Sequence, residues 1–265
     1  MIKIITILKQ VPDLVEELEL NNEGTALDKQ WLKFILSEYD DHALEQSLII
    51  KEKLGANVKA IALDLGEATE SLITASAKGA DELLLLKGDF PEDISNHLIA
   101  KIYHTILSSQ QFDLILTGVQ AIDDFDGSIG PILAGIMELP YVGVVKGIQF
   151  SEDQKSIIVG KEYPGGLISK ISVRLPAIIG IQAAELPPRY VPIAKIRQAQ
   201  KTAKIEELNV NDTINKVIVD ANKTKLKIKR MFKPDSITKA EILDGNINEV
   251  VNRLLSLLAQ KGLMR

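Results

Sequence analysis

Four short, strongly apolar runs constrain this chain more than anything else in it: Ile2–Leu8, Val58–Leu63, Leu83–Leu86 and Leu114–Leu116. Segments this short and this apolar suit strands buried on both faces, which is the condition of a central strand in a parallel sheet. Between them lie longer amphipathic stretches. "DDHALEQSLIIKEKLG" (40–55) brings Ala43, Leu44, Ser47, Leu48 and Ile50 near one helical stripe and ends at Gly55, a C-cap candidate. "EATESLITASAKGAD" (67–81) predicts a second helix stopped by Gly79. "DISNHLIAKIYHTILSSQ" (93–110) predicts a third, with Leu98, Ile102 and Ile106 in step. "IGPILAGIMEL" (129–139) predicts a fourth, with Pro131 in its first turn, where a missing N–H is tolerated. The order βαβαβαβα predicts an α/β fold with a parallel sheet and helices on both faces. Ligands of such sheets bind beyond the carboxyl ends of the strands.

The texture changes from Tyr141. "YVGVVKGIQF" (141–150), "SIIVGKEY" (156–163) and "LISKISVRL" (167–175) predict antiparallel strands, with Gly165-Gly166 as a hairpin turn or bulge. "PAIIGIQ" (176–182) predicts a buried strand that returns to the main sheet. From Leu186 the chain reads as loop, and "INEVVNRLLSLLAQKGL" (247–263) as a final amphipathic helix. The expected organisation is an α/β domain over 1–186 followed by an arm over 187–265. "KTKLKIKRMFK" (223–233) alternates cations with apolar groups. It reads as an edge strand guarded by lysines or as a patch for an anionic partner, with the first reading favoured.

Composition narrows the chemistry. A net charge of −5 gives no sign of bulk nucleic-acid binding. The chain has no cysteine, which excludes disulfides, thiolate metal sites, cysteine-bound clusters and cysteine nucleophiles. That fits a reducing compartment, and a cytoplasmic location is expected. No apolar run reaches the length of a membrane span. "MIKIITILKQVPD" (1–13) reads as a first buried strand rather than a signal peptide, because no small-residue cleavage site follows it.

Enzyme signatures are missing. No G-x-G-x-x-G follows the first strand, and no P-loop sequence occurs. "GSIG" (127–130) lacks the first glycine of a nucleophile elbow, since Asp126 stands there. His42, His97 and His104 all fall in predicted helices, where packed or solvated positions are the expected reading. "DFDG" (124–127) begins like a calcium loop but has no glutamate at its twelfth position. What stands out is "QAIDDFDGSIGPILAG" (120–135), an acidic turn placed after the fourth strand. Gly127 and Ser128 at a helix start would expose backbone N–H groups and the positive end of the helix dipole to phosphate. Asp123, Asp124 and Asp126 suit turn formation, helix capping or ribose contacts better than phosphate contacts. A helix that is merely capped remains the alternative.

Four motifs in one order, "KQVPD" (9–13), "SAKGAD" (76–81), "GVQAIDDFDGSIGPILAG" (118–135) and "LPPRYVPIAKIRQAQK" (186–201), resemble the beta subunit of electron transfer flavoprotein, a family that includes the FixA proteins. The likeness runs from residue 1 to about 207. It implies a parallel α/β domain of adenine-nucleotide-hydrolase type and a C-terminal arm that embraces an alpha subunit. It also implies an electron carrier rather than an enzyme. Electrons would pass from acyl-CoA or other flavin dehydrogenases to a quinone oxidoreductase or another acceptor. The redox FAD would be shared with the alpha subunit, and the beta subunit would bury AMP, or a second FAD in the electron-bifurcating branch.

By resemblance, the nucleotide loop maps to Gly118, Val119, Gln120, Ala121, Ile122, Asp123, Asp124, Phe125, Asp126, Gly127, Ser128 and Ile129. Further contacts map to Ile7, Leu65, Tyr39 and Asp40. The family's Asn-Pro at the start of the first helix, before Tyr39 and Asp40, is Ser37-Glu38 here. AMP-binding relatives usually read Asn-Gln-Thr-Gly where this chain has Gly127-Ser128-Ile129-Gly130. The bifurcating branch usually reads Val-Gly-Pro, which Ile129-Gly130-Pro131 resembles, but it also has Gly-Asp-Thr where this chain has Phe125-Asp126-Gly127. The two cofactors stay open, with a slight balance toward FAD. Partner docking maps to Arg189, Tyr190, Ile193 and Ile196, with Ile193 as the aliphatic anchor and "AKIRQA" as a short helix behind it. A stand-alone adenine-nucleotide sensor resembling universal stress proteins is the alternative, although it would not need the "RYVPIAKIRQAQK" arm.

Overall fold

The structure, a computed structural model, describes residues 1–28, 30, 32–66, 68–91, 94–221, 228–233 and 242–264. The apolar runs form strands β1 (Lys3–Leu8), β4 (Asn57–Leu63), β5 (Glu82–Lys87) and β6 (Leu114–Gly118). The amphipathic stretches form helices α1 (Glu38–Leu54), α2 (Ala68–Lys78), α3 (Asn96–Leu107) and α4 (Ile129–Met137). A short antiparallel ribbon of β2 (Gln10–Pro12) and β3 (Phe34–Leu36) sits between β1 and α1.

Strand β10 (Ala177–Ala183) returns to the main sheet and pairs in parallel with β6. On its other side lies β7 (Tyr141–Phe150), also parallel. Strands β8 (Ser156–Tyr163) and β9 (Leu167–Arg174) extend that edge in antiparallel fashion. Gly165 and Gly166, at φ +83° and +77°, form the hairpin turn between them. The order of the nine-stranded sheet is β11-β5-β4-β1-β6-β10-β7-β8-β9, where β11 is Ile205–Asn209. This is a Rossmann-like α/β sheet with antiparallel additions, as the sequence predicts.

Both faces of the sheet are covered, and alternate strand residues serve opposite layers. Ile4 and Leu8 of β1 join Ala43, Leu44 and Leu48 of α1 and Leu72 of α2 in one layer. Ile5 and Ile7 join Leu98, Ile102 and Tyr103 of α3 and Leu133 of α4 in the other. Helix ends follow the capping rules. Gly55 takes the left-handed conformation, and its N–H bonds the Lys51 carbonyl. The Ser95 side chain accepts from the Leu98 N–H at the start of α3.

The stretch after Leu186 is more ordered than the sequence reading allows. Helix α5 (Ile193–Thr202) is followed by β11, which pairs in parallel with β5 from Ile205↔Leu83 to Asn209↔Lys87. Helix α6 (Asn211–Ala221) then places Ile214 beside Val210 in the second core layer. The strand escapes notice because "IEELN" is an edge strand with four of its five residues exposed, so it carries no apolar run. The edge strand expected over 223–233 is not seen: 228–233 is irregular and 223–227 lies outside the described residues. Two of its described cations have partners. Lys233 pairs with Glu19 at 2.8 Å, and Arg230 lies over the Phe232 ring. The final helix α7 (Ile247–Gln260) starts with a capping box between Asn246 and Glu249, yet none of its residues is buried. Among the described residues, no helix is long and apolar enough to cross a membrane.

One packing detail limits substitution. Gly130, Gly143 and Gly180 surround the Tyr141 phenol, and a Cβ on Gly180 would meet the Tyr141 hydroxyl. Because glycines on the other sides already hold the ring closely, it has no room to retreat. Gly180→Ala should destabilise the fold by about 1–3 kcal/mol, the usual range for overpacking a core. Urea unfolding followed by circular dichroism would measure this.

Candidate functional site

The chain runs from β1 to β4 and β5 on one side of the sheet, then to β6 on the other. The order therefore reverses between β1 and β6, and a cleft opens at the carboxyl ends of these strands, where a doubly wound sheet holds its ligands. Ile7, Leu8 and Lys9 line it from the end of β1, Leu63 and Leu65 from the end of β4, and Gly118, Gln120 and Ala121 from the end of β6. Asp40 enters from α1, Asn96, Ile99 and Tyr103 from α3, and Ile129 from the first turn of α4.

Asp40 closes the base of the cleft. Its Oδ1 accepts the Gly118 N–H at 2.6 Å and its Oδ2 accepts the Lys9 N–H at 2.9 Å. One carboxylate thus ties the ends of β6 and β1 to the first turn of α1. The approach is possible because residue 118 is glycine. A Cβ there would lie 2.7 Å from Asp40 Oδ1 and 2.8 Å from Tyr39 Cβ. Burial raises the Asp40 carboxyl to about 7, against the lowering effect of the two N–H donors and Lys9. Tyr103 is buried nearby, and burial together with the Asp40 charge pushes its phenol up.

The acidic turn is held by its own backbone and by side chains of neighbouring elements. Asp124 Oδ2 accepts the Ala121 N–H at 2.7 Å, and its Oδ1 accepts from Asn96 Nδ2 at 2.7 Å and from Lys9 Nζ at 2.9 Å. Lys9 also pairs with Asp123 at 2.7 Å. Burial alone would lower the Lys9 ammonium, but Asp123 and Asp124 raise it above the ordinary lysine value. Asp126 accepts the Asn96 backbone N–H, and Asn96 Nδ2 also donates to the Gly127 carbonyl at 2.8 Å. Gly127 sits at φ +104°, a conformation in which a side chain would be strained. Ser128 is the N-cap of α4, with extended dihedrals and no bond from its side chain to the helix. The N–H groups of the first helical turn have no partner within the helix.

Of the residues singled out from sequence, Ile7, Asp40, Leu65, Gly118, Gln120, Ala121, Asp124 and Ile129 line the cleft. Asp123, Asp126 and Gly127 lie behind it as members of the turn network. The Val119 N–H bonds the Ile181 carbonyl and continues the ladder between β6 and β10. Tyr39 packs beside Gly118. Ile122 and Phe125 face solvent. Lys9, Asn96, Tyr103, Ile99 and Phe34 were missed. Of these, Lys9 alone had a sequence signal, as the first residue of "KQVPD". His42, His97 and His104 all lie on helices, in α1 and α3. Among the described residues, no group of His, Asp and Glu side chains could hold a metal ion.

The docking residues lie on a separate segment. Arg189 is turned inward onto Glu45 of α1, while Tyr190 and Ile193 are 84% and 63% exposed and Ile196 is half-buried. Pro192 precedes α5, whose first residue is Ile193.

Fold and cleft define a mostly parallel α/β protein with a pocket at its topological switch point. The electron transfer flavoprotein domain model matches residues 26–213, so the chain belongs to the electron transfer flavoprotein family. Its relatives align over nearly their whole length. It is 27% identical to the electron transfer flavoprotein subunit beta of Methylophilus methylotrophus, over 97% of each chain. It is 28% identical to the subunit of the same name from Bacillus subtilis, over 95% of each. It is 29% identical to the caffeyl-CoA reductase-Etf complex subunit CarD of Acetobacterium woodii, over 98% of each.

Two outcomes test the geometry at Asp40. Gly118→Ala should destabilise the protein, because the added methyl would force the Asp40 carboxylate off two backbone donors; thermal unfolding would show it. The second outcome concerns pH. A carboxyl raised on folding contributes stability that is complete below its unfolded value, near 4, and lost as pH rises toward about 7. Wild-type stability should therefore carry a falling component across that window, with a slope of at most about 1.4 kcal/mol per pH unit. Asp40→Asn should remove it, measured as a flatter curve of unfolding free energy between pH 4.5 and 7.5.

Proposed function

We propose that this chain is the beta subunit of a heterodimeric electron transfer flavoprotein, and that its switch-point cleft buries an adenine nucleotide. The cleft itself carries the second half of this reading. It meets the first turn of α4 through Ile129, with a positive-φ glycine and an uncommitted serine side chain just before it. That is a donor set suited to phosphate. The walls are apolar, from Ile7, Leu63 and Ile99, as a base requires. The aspartates of the turn are held by Lys9, Asn96 and backbone N–H groups, so they shape the loop and leave the anion contacts to the helix start.

The redox flavin supplies the electron chemistry when bound; this chain supplies binding surface, orientation and a fixed charge environment. The partner reading rests on exposed apolar surface. Ile247, Val251, Leu254 and Leu255 of α7 are exposed, and Leu65, Ile122 and Phe125 stand exposed in segments that border the cleft. An alpha subunit covering both would explain why a chain of this charge leaves so much apolar surface open. Residues 187–265 serve as the arm in this reading, with β11 returning to the sheet. Donors are acyl-CoA or other flavin dehydrogenases, and the acceptor is a quinone oxidoreductase or another carrier. The stand-alone sensor is disfavoured, because the relatives match over the arm as well as the sheet.

Coexpression with an alpha subunit should give a yellow one-to-one complex. Heat denaturation should then release either one FAD and one AMP or two FAD per heterodimer, resolved by chromatography. Two FAD would assign the chain to the bifurcating branch. Gly127→Val should lower the content of the second nucleotide, because the strained turn would withdraw the start of α4. A complex with neither AMP nor a second FAD, unaffected by Gly127→Val, would reject the cleft as a nucleotide site.

Docking on a dehydrogenase falls to Ile193. Its exposure makes Ile193→Ala nearly neutral for stability, within about 0.5 kcal/mol. An exposed anchor of this kind loses ~2 kcal/mol or more of binding on truncation. The apparent KM for the complex in a dehydrogenase-coupled assay should rise while flavin content and Tm stay constant. An early-melting variant that couples normally would place the docking residue elsewhere.

A further inference from the structure

The segment 184–191 crosses α1 as an extended strap, and α1 reads it with a stripe of polar side chains at His42, Glu45, Gln46, Glu52 and Lys53. These positions fall on one helical face. His42 Nδ1 accepts the Ala184 N–H at 3.3 Å, and Gln46 Oε1 accepts the Glu185 N–H at 3.0 Å. Lys53 pairs with the Glu185 carboxylate. The strongest grip is on Arg189. Glu45 Oε2 accepts both its backbone N–H and its Nε, each at 2.9 Å, while Oε1 accepts from Nη2 at 2.8 Å. Glu52 takes Nη1 from the outer side at 2.7 Å. The Glu45 side chain is 3% exposed. Hydrogen bonds donated to Glu45, opposed by burial, and then those donated to Glu52 hold the guanidinium above its ordinary value.

A buried ion pair is a weak source of stability, since well-packed apolar residues often hold an element as well. What this pair adds is direction. By holding the backbone N–H and the guanidinium of one residue together, Glu45 fixes the orientation of the chain at Arg189. Tyr190 comes next, then Val191, which is buried, then Pro192, whose φ is set by its ring. Tyr190 and Ile193 are therefore exposed side chains on a backbone fastened on both sides. Large side chains held outward before binding lose little freedom when a partner arrives.

We propose that Glu45 is a positioning residue: its bidentate hold on Arg189 sets the direction in which Tyr190 and Ile193 meet a flavin dehydrogenase, without touching that partner. This rests on the docking reading of Ile193 given above. It also changes the role of Arg189, whose guanidinium faces α1 and acts through the strap.

The test uses the full complex with its alpha subunit and an acyl-CoA dehydrogenase that reduces the wild-type complex. Glu45→Gln keeps the shape and removes the charge. It should raise the apparent KM for the complex roughly five- to tenfold, the coupling expected of residues in one network, with kcat and nucleotide content unchanged. Arg189→Lys keeps the charge but loses the planar fork, and it should raise KM by a similar factor. The double variant should be no worse than the poorer single variant, because both break the same contact. A merely structural clamp would lower Tm and nucleotide content and leave the KM of the folded fraction unchanged, which would overturn the proposal. If Ile193→Ala raises KM while Glu45→Gln does not, docking stands and positioning by Glu45 falls. If Ile193→Ala leaves KM unchanged, the docking reading fails and the proposal fails with it. Should Glu45→Gln not fold, Arg189→Lys decides by the same criterion.

Discussion

The candidate site hangs on one buried carboxylate. Asp40 accepts one backbone N–H from each of two neighbouring strands, at Gly118 and Lys9, from a position in the first turn of α1. Without an acceptor there, two buried donors at the carboxyl end of the sheet would go unmet, at a penalty of about 1–3 kcal/mol each. The bond needs close approach, and the missing side chain at Gly118 allows it. The cleft between β1 and β6 therefore has a floor of fixed shape before any ligand enters.

Above that floor, the acidic turn is a self-contained electrostatic unit. Three aspartates within four residues would repel one another and any phosphate. Lys9 reaches across from β1 to two of them, and Asn96 reaches from α3 to the third and to the Gly127 carbonyl. The turn is thus tied to two other elements, and it leads into α4, whose Ile129 lines the cleft. An electron carrier needs little more from this part of the chain. Flavin chemistry belongs to the cofactor, so a protein without cysteine loses nothing essential.

Much of this was legible in the sequence, and the omissions have physical causes. The four central strands and four helices declare themselves because burial on both faces forces unbroken apolar runs and buried helix faces force a stripe. Edge strand β11 does not, because in "IEELN" four of the five residues are exposed and Glu206 and Glu207 put a charge on each face. Residues of the acidic loop could be named, but not Asn96 or Tyr103. Those two belong to α3, more than a dozen residues away in sequence, where they look like any polar or aromatic helix position. Only the crossover that lays α3 beside the end of β6 gives them a role. The loop aspartates bond within the turn and to neighbouring elements, and the role of Lys9, marked in the sequence only as the start of "KQVPD", emerges once β1 and the turn are brought together. The resemblance assigns Arg189 to partner docking, and the structure shows its guanidinium paired with Glu45 of α1. A sequence shows that a residue is charged; whether it faces a partner or an adjacent helix depends on packing.

Helix α1 joins the two regions. Its first turn carries Asp40, which shapes the switch-point cleft, and the turns that follow carry Glu45, Gln46, Glu52 and Lys53, which hold the strap before α5. Between them, its buried face packs Ala43, Leu44 and Leu48 against the sheet, which keeps the helix from shifting on its own. A rigid element of this kind gives the cleft and the exposed Tyr190–Ile193 edge a common frame. Electron transfer between proteins depends on how closely and in what orientation the cofactors are brought together. A chain that fixes its switch-point cleft and the exposed Tyr190 and Ile193 side chains to the same helix would hold such a geometry with few moving parts.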